Sequence, residues 1–223
     1  MRIGGLIPFS TVDWPGQLAA VVFCQGCPWR CRYCQNPHLQ PAGIPSAYRW
    51  QDVLAFLERR RGLLDAVVFS GGEPVLQADL PDAVRAVRAL GYRVGLHTAG
   101  IYPRRIERLL PLVDWVGLDV KAPARAYAQL TGVPDSAEAA FTSLRLLQTA
   151  GVAYELRCTW HPHLLAEQDM IELGSELAQL GEDRLVVQVC RPHGCARTLG
   201  EAVPGPETFA GVRRHLRLVS LRP

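Results

Sequence analysis

The chain has 223 residues, 48% of them hydrophobic and 20% charged, with a formal net charge of +3. This is ordinary globular material, long enough to bury one sizeable core, and the charge is too mild to call for a nucleic-acid or membrane partner. No run of about eighteen apolar residues occurs, and polar and proline positions interrupt the opening MRIGGLIPFSTVDWPG before a signal-like core forms, so a cytoplasmic location is expected. Seven cysteines, an odd number with four of them clustered, argue against a disulfide framework and for a reducing compartment.

Taken in chain order, apolar strand-like runs alternate with helical periodicity. The runs are Leu18 to Cys24, Ala66 to Ser70, Arg93 to His97, Trp115 to Val120, Ala153 to Thr159 and Leu185 to Cys190. Helical patterns cover Trp50 to Arg61, Leu80 to Leu90, Pro103 to Leu110, Ser136 to Ala150, Ala166 to Leu180 and Pro206 to Leu218. Arg59, Arg60 and Arg61 form the only basic run, read as a solvated helix end where cations favour the dipole. Ser136 with Glu138 marks a helix start, and Gly151 after Ala150 marks its stop. No linker or low-complexity stretch divides the chain, so residues 1–223 are expected to form one domain. Six such units require parallel strands joined by right-handed crossovers. They are too few for a closed eight-fold barrel, so a partial barrel is the first expectation and a doubly wound sheet the second.

In either arrangement the chemistry belongs at the carboxyl ends of the strands. Three features sit there. The first is CPWRCRYC, where Cys27, Cys31 and Cys34 lie within eight residues immediately after the first strand. Thiols so spaced on one loop can reach three corners of a four-iron cluster and leave the fourth iron open to a small molecule. Cys24 keeps two rivals in view, zinc and a closed electron-transfer cluster. Zinc ribbons separate their Cys pairs by about a dozen residues or more, whereas three residues part Cys27 from Cys31.

The second feature is SGGEP at Ser70 to Pro74. Two glycines let backbone approach a ligand closely, and Glu73 adds a fixed negative charge suited to an ammonium or amide group. The third is Leu118 to Lys121. Lys121 is the only lysine among 24 basic residues, which points to a requirement for a compact ammonium at that strand end. Cys190 and Cys195 in CRPHGC, with Cys158 and His193, are a weaker candidate for a second metal site and stay unassigned.

Cys-x3-Cys-x2-Cys with Tyr33 before its last cysteine, followed by Gly-Gly-Glu-Pro, resembles the radical S-adenosylmethionine superfamily. The resemblance implies a TIM-like partial (β/α)6 barrel, a [4Fe-4S] cluster on Cys27, Cys31 and Cys34, and S-adenosylmethionine chelated at the open iron. It implies Gly71, Gly72 and Glu73 at the methionine amino group and Tyr33 near the adenine. Thr98, Asp119, Lys121 and Arg157 complete the implied cofactor-binding set. Within the superfamily, the opening GGLIPFSTVDWPGQLAAVVFCQGCPWRCRYCQNPHL, the Leu118 to Lys121 stretch and Glu155-Leu156-Arg157 with His161 following are similar to activating proteins of anaerobic ribonucleoside-triphosphate reductase. These are relatives of the pyruvate formate-lyase activating enzymes. The implied activity is reductive cleavage of S-adenosylmethionine to a 5′-deoxyadenosyl radical, which removes a hydrogen atom from a glycine of the partner enzyme. The implied partners are that glycyl-radical enzyme and a low-potential donor such as flavodoxin. Two other readings are a radical enzyme acting on a small molecule or peptide, and a non-enzymatic iron–sulfur electron carrier. Two departures are visible: Cys24 stands where a non-ligand is expected and reads as a small apolar strand residue, and His97-Thr98-Ala99-Gly100 stands where related activases commonly carry Asp-Thr-Asn-Gly. His97 is either a hydrogen-bonding substitute or simply a satisfied histidine.

Overall fold

The computed structural model describes residues 1–191, 195, 199–205 and 207–222. One eight-stranded sheet runs through them with every strand beside its sequence neighbour. The strands are β1 (Ile3–Ser10), β2 (Ala19–Cys24), β3 (Ala66–Gly71), β4 (Arg93–Thr98), β5 (Trp115–Asp119), β6 (Ala153–Trp160), β7 (Arg184–Val189) and β8 (Leu218–Arg222). β1 is antiparallel to β2, and β2 to β8 are parallel throughout. Among the described residues β1 and β8 do not pair with each other, so the barrel is partial, as expected.

The six strands read from the sequence are β2 to β7, each within a residue of its expected bounds. The two edge strands escaped the pattern for a physical reason. An edge strand is not buried on both faces and so carries no continuous apolar run. β1 contains Gly4, Gly5 and Pro8, and residues 7–9 are exposed. Proline is admissible there because an edge strand need not donate every ladder hydrogen bond.

The connecting helices are α1 (Trp50–Arg59), α2 (Leu80–Ala89), α3 (Pro103–Leu109), α4 (Ala124–Thr131), α5 (Ser136–Ala150) and α6 (Glu167–Gln179). α4 is additional to the sequence reading. The cap of α5 is Asp135, in the left-handed region at φ 56°, with Ser136 as the first helical residue; Gly151 ends the helix at φ 70°. The helix expected over Pro206 to Leu218 does not form across 207–216. Turns occupy that stretch, with a single 3-10 turn at Val212–Arg214, and the chain then enters β8. Phe209, Val212 and Leu216 are buried at helix-like spacing, which explains the expectation. Gly211, at φ −62° and ψ −39°, packs closely against α6, where a Cβ would meet the Ile171 side chain at 2.4 Å.

Strand alternation sorts the side chains into two populations. Val22, Cys24, Val67, Phe69, Val94, Leu96, Val116 and Leu118 join the core shared with the helices. Inside the barrel, Trp14 stacks on Trp115 at 5.5 Å between centroids and closes the amino end with Ala19, Val21, Ala66 and Val68. Toward the carboxyl end the interior turns polar: Ser70, His97, Asp119, Arg157, Thr159, Gln188 and Arg222 face a single cavity. No helix among the described residues is long and apolar enough to cross a membrane.

Candidate active site

The cavity holds about 1080 Å³ at the carboxyl ends of the strands, and Cys27, Tyr33, Gly71, Thr98, Asp119 and Arg157 are on its wall. Of the eleven positions singled out in the sequence, ten line this space: Cys27, Cys31, Tyr33, Cys34, Gly71, Gly72, Thr98, Asp119, Lys121 and Arg157. Glu73 is the exception.

The cysteine loop is held by its backbone. Gly26 and Cys27 N–H groups donate to the Leu39 and Gln40 carbonyls at 2.7 and 2.9 Å, and Arg30 and Arg32 N–H groups donate to Thr131 and Leu130 at 2.8 and 3.0 Å. The last two acceptors lie at the end of α4, so the helix that the sequence did not announce is what anchors the loop. Trp29 reinforces the contact edge-on to Tyr127. Cys31 is buried, and Cys27 and Cys34 are half-buried. Burial pushes the Cys27 thiol up to about 12 and raises Cys31 as well, with Lys121 working in the opposite direction on both. Ligation would require those protons to leave. Cys24, by contrast, ends β2 with no exposure and belongs to the core.

Gly71 is forced by its surroundings. Its φ is 114°, and a Cβ would sit 2.4 Å from the Cys24 nitrogen. The register that sets Cys24 beside Gly71 thus brings the cysteine loop and the Gly-Gly turn to one rim. Glu73 turns away from the cavity and is fully buried. Its carboxylate accepts from Thr98 Oγ1 at 2.8 Å, Ala99 N at 3.0 Å and Val75 N at 3.2 Å. Burial nonetheless raises it to about 7. Its observed role is to clamp the end of β3 to the end of β4.

The opposite wall is ionic. Asp119 accepts from Arg157 at 3.0 Å and lies 3.4 Å from the Lys121 ammonium. Burial would push the Asp119 carboxyl up, but Arg157 and Lys121 outweigh it and hold it below its ordinary range. Burial also opposes the Lys121 charge, yet Tyr33 and Asp119 raise its pKa well above the usual lysine value. Tyr33 Oη is 3.4 Å from that ammonium. Gly117 makes room for the guanidinium, since a Cβ there would meet Arg157 Cζ at 2.7 Å.

His97 resolves into the same network. Nε2 lies 2.7 Å from the Asp13 carbonyl and Nδ1 lies 3.3 Å from Ser70 Oγ. Nε2 also lies 3.0 Å from the Arg157 guanidinium Nη1, which can only donate, so this one imidazole nitrogen sits between a donor and the Asp13 acceptor. Burial, aided by Arg157 close to Nε2, lowers the imidazole to about 3 and keeps it neutral. Sequence reasoning missed Asp13, Ser10 and Gln188, which reach the cavity from β7 and from β1 and the turn after it. No local motif marks them.

The family model of the radical SAM superfamily matches residues 21–173. The chain belongs to that superfamily. Membership in the radical SAM superfamily brings with it a [4Fe-4S] cluster and S-adenosylmethionine. Among the described residues no three Cys, His, Asp or Glu side chains converge to hold a single metal ion. A cubane asks for something different, one thiolate at each of three irons, and three thiols spread along one cavity rim fit that demand.

A Methanocaldococcus jannaschii protein provisionally named a glycyl-radical enzyme activating enzyme is 29% identical over 183 residues, covering 77% of this chain and 73% of that one. Pyruvate formate-lyase 1-activating enzyme of Escherichia coli is 34% identical over 128 residues, 54% of this chain and 52% of its own. The match thus spans only about half of the latter's length. Among solved structures, Streptococcus suis SuiB bound to S-adenosylmethionine superposes with a TM-score of 0.68 at 16% identity, covering 91% of this chain and 50% of SuiB. A domain of pyruvate-formate lyase-activating enzyme from Bacteroides vulgatus gives 0.57 at 16% identity, over 71% of this chain and 99% of that one. At such identities the structural likeness speaks to the partial barrel alone.

Proposed function

We propose that this radical SAM protein activates a glycyl-radical enzyme, and that its target is an anaerobic ribonucleoside-triphosphate reductase. The shared cavity carries the reading: one loop with three thiols, the Ser70 to Gly72 backbone, and the Asp119, Lys121 and Arg157 charges all face one space. In this reading Cys27, Cys31 and Cys34 ligate the cluster and Cys24 does not. Gly71 and Gly72 receive the methionine amino group, with Glu73 holding them in place from behind. Tyr33 lies toward the adenine, and Thr98, Asp119, Lys121 and Arg157 complete the wall around a zwitterionic ligand. When bound, the cluster and S-adenosylmethionine supply hydrogen-atom abstraction by a 5′-deoxyadenosyl radical.

The chain's own residues orient that ligand and keep water from it. Fixed charges in a poorly hydrated cavity act more strongly than in water and need no rearrangement when the ligand arrives. Ile7, Phe9 and Val12 line the mouth and are 39%, 54% and 65% exposed, an apolar rim suited to a protein loop. That rim, with the names of the relatives, favours a protein substrate over a small molecule. The domain spans 1–223, works in the cytoplasm, and takes electrons from a low-potential donor such as flavodoxin.

The test is anaerobic. The reconstituted protein, dithionite and S-adenosylmethionine are combined with purified anaerobic ribonucleoside-triphosphate reductase or, separately, pyruvate formate-lyase. Liberated 5′-deoxyadenosine and the glycyl radical signal in electron paramagnetic resonance are then measured. A radical on the reductase alone, lost with Cys31→Ala, is the expected result. A radical on the lyase alone would overturn the target, and 5′-deoxyadenosine without any protein radical would favour a small molecule or peptide as substrate.

A further inference from the structure

We propose that Cys190 and Cys195 are a redox-active dithiol that closes into a disulfide beside the cysteine loop, a modification site distinct from the three cluster cysteines. Cys190 follows the last residue of β7, and Cys195 returns to it after four residues, with the two Sγ atoms 3.5 Å apart. The Gln35 amide spans both, with Nε2 at 3.6 Å from Cys190 Sγ and 3.3 Å from Cys195 Sγ. The same amide nitrogen donates to the Arg191 carbonyl at 2.9 Å. Cys195 Sγ also reaches the Arg191 carbonyl at 2.9 Å and the Tyr33 carbonyl at 3.6 Å. The pair therefore touches the residues on either side of Cys34.

No other role claims these thiols. The second metal site raised by the sequence does not assemble: Cys158 sits apart with its thiol on the Lys121 carbonyl at 3.7 Å, and no third ligand joins the pair among the described residues. His193 lies outside the described residues. A disulfide bond is ~2.05 Å long, so two sulfurs already in contact need only a small side-chain motion to join. The bond would be a transient one, since the neighbouring cluster cysteines must stay reduced.

The two thiols divide the work by exposure. Cys190 is 2% exposed, whereas Cys195 is half-buried and reachable from solvent. Cys195, losing its proton, attacks a low-molecular-weight disulfide such as oxidised glutathione and expels one glutathione thiol. Cys190 then attacks the Cys195 sulfur of the mixed disulfide, and its proton passes to the departing second glutathione thiolate. Two cysteine thiols are oxidised to one disulfide while one glutathione disulfide is reduced to two thiols. This pairing does not depend on which protein the radical enzyme activates.

The experiment equilibrates the full-length, cluster-loaded protein anaerobically in glutathione buffers of increasing oxidation, then alkylates, digests and maps it by mass spectrometry. The expected product is a Cys190–Cys195 cross-link lighter by two hydrogens, absent in dithiothreitol and dominant in the most oxidising buffer, with iron content unchanged. Cys190→Ser should stop at a Cys195–glutathione adduct, and Cys195→Ser should give neither adduct nor cross-link. The parent protein alone suffices to overturn the proposal. Both thiols alkylated fully in every buffer, an adduct that never resolves, or Cys195 joined to Cys27, Cys31 or Cys34 would each do so.

Discussion

The two sides of the cavity are built by opposite means. On the cysteine side, backbone amides of Gly26, Cys27, Arg30 and Arg32 fasten the loop to neighbouring backbone carbonyls. On the ionic side, side chains hold one another: Asp119 with Arg157 and Lys121, Glu73 with Thr98 and the Ala99 amide, His97 with Asp13 and Ser70. A loop fastened by its backbone tolerates changes at its side chains. A wall that consists of its side chains does not, so substitutions there should lower stability and ligand affinity together.

The largest expected effect is on the loop side. Cys31→Ala should reduce iron content and 5′-deoxyadenosine formation to background while costing the apo-protein only about 1 kcal/mol in denaturant unfolding. A variant that unfolds instead would break the contrast. On the ionic side, Arg157→Ala leaves Asp119 without its main partner and should cost about 3 kcal/mol. It should also weaken S-adenosylmethionine binding by roughly tenfold to a hundredfold in calorimetry. Unchanged stability with lost binding would show that the wall does not support itself.

Glu73 offers a test by pH. Its folded value of about 7 stands above the ordinary carboxyl value of 4.5, so the folded state holds the proton more tightly than the unfolded chain. The associated stability is fully present below 4.5 and lost as pH rises through 7. The parent protein should therefore lose on the order of 3 kcal/mol across that window relative to Glu73→Gln, read as the difference between their denaturation profiles. Parallel profiles would refute the buried, titrating carboxyl. The smallest effect belongs to Cys24→Ala, which should cost about 1 kcal/mol and leave iron content unchanged. Loss of iron there would move Cys24 from the core into the ligand set.

Much of this was legible in the amino-acid sequence. β2 to β7 are buried strands, and burial writes a dense apolar run that a reader can find. β1 and β8 lie at edges, where solvent relaxes that demand, and α4 is a short helix of eight residues whose periodicity is too brief to stand out. The site divides in the same way. Cys27, Cys31 and Cys34 are close in sequence, so their spacing alone announces a shared ligand, whereas Asp13 meets His97 across 84 residues with no pattern to mark it.

The amino-acid sequence by itself determined the alternation of strands and helices, the thiol spacing, the Gly-Gly turn and the placement of a single lysine at a strand end, because each follows from local periodicity or short-range geometry. Tertiary structure alone decided that Glu73 turns into the wall, that Gly117 admits the Arg157 guanidinium, that α4 anchors the cysteine loop, and that Cys190 meets Cys195 under Gln35. Those outcomes rest on which strands lie side by side and in what register. Burial and pairing between distant residues exist only once the sheet has curled and brought them within reach.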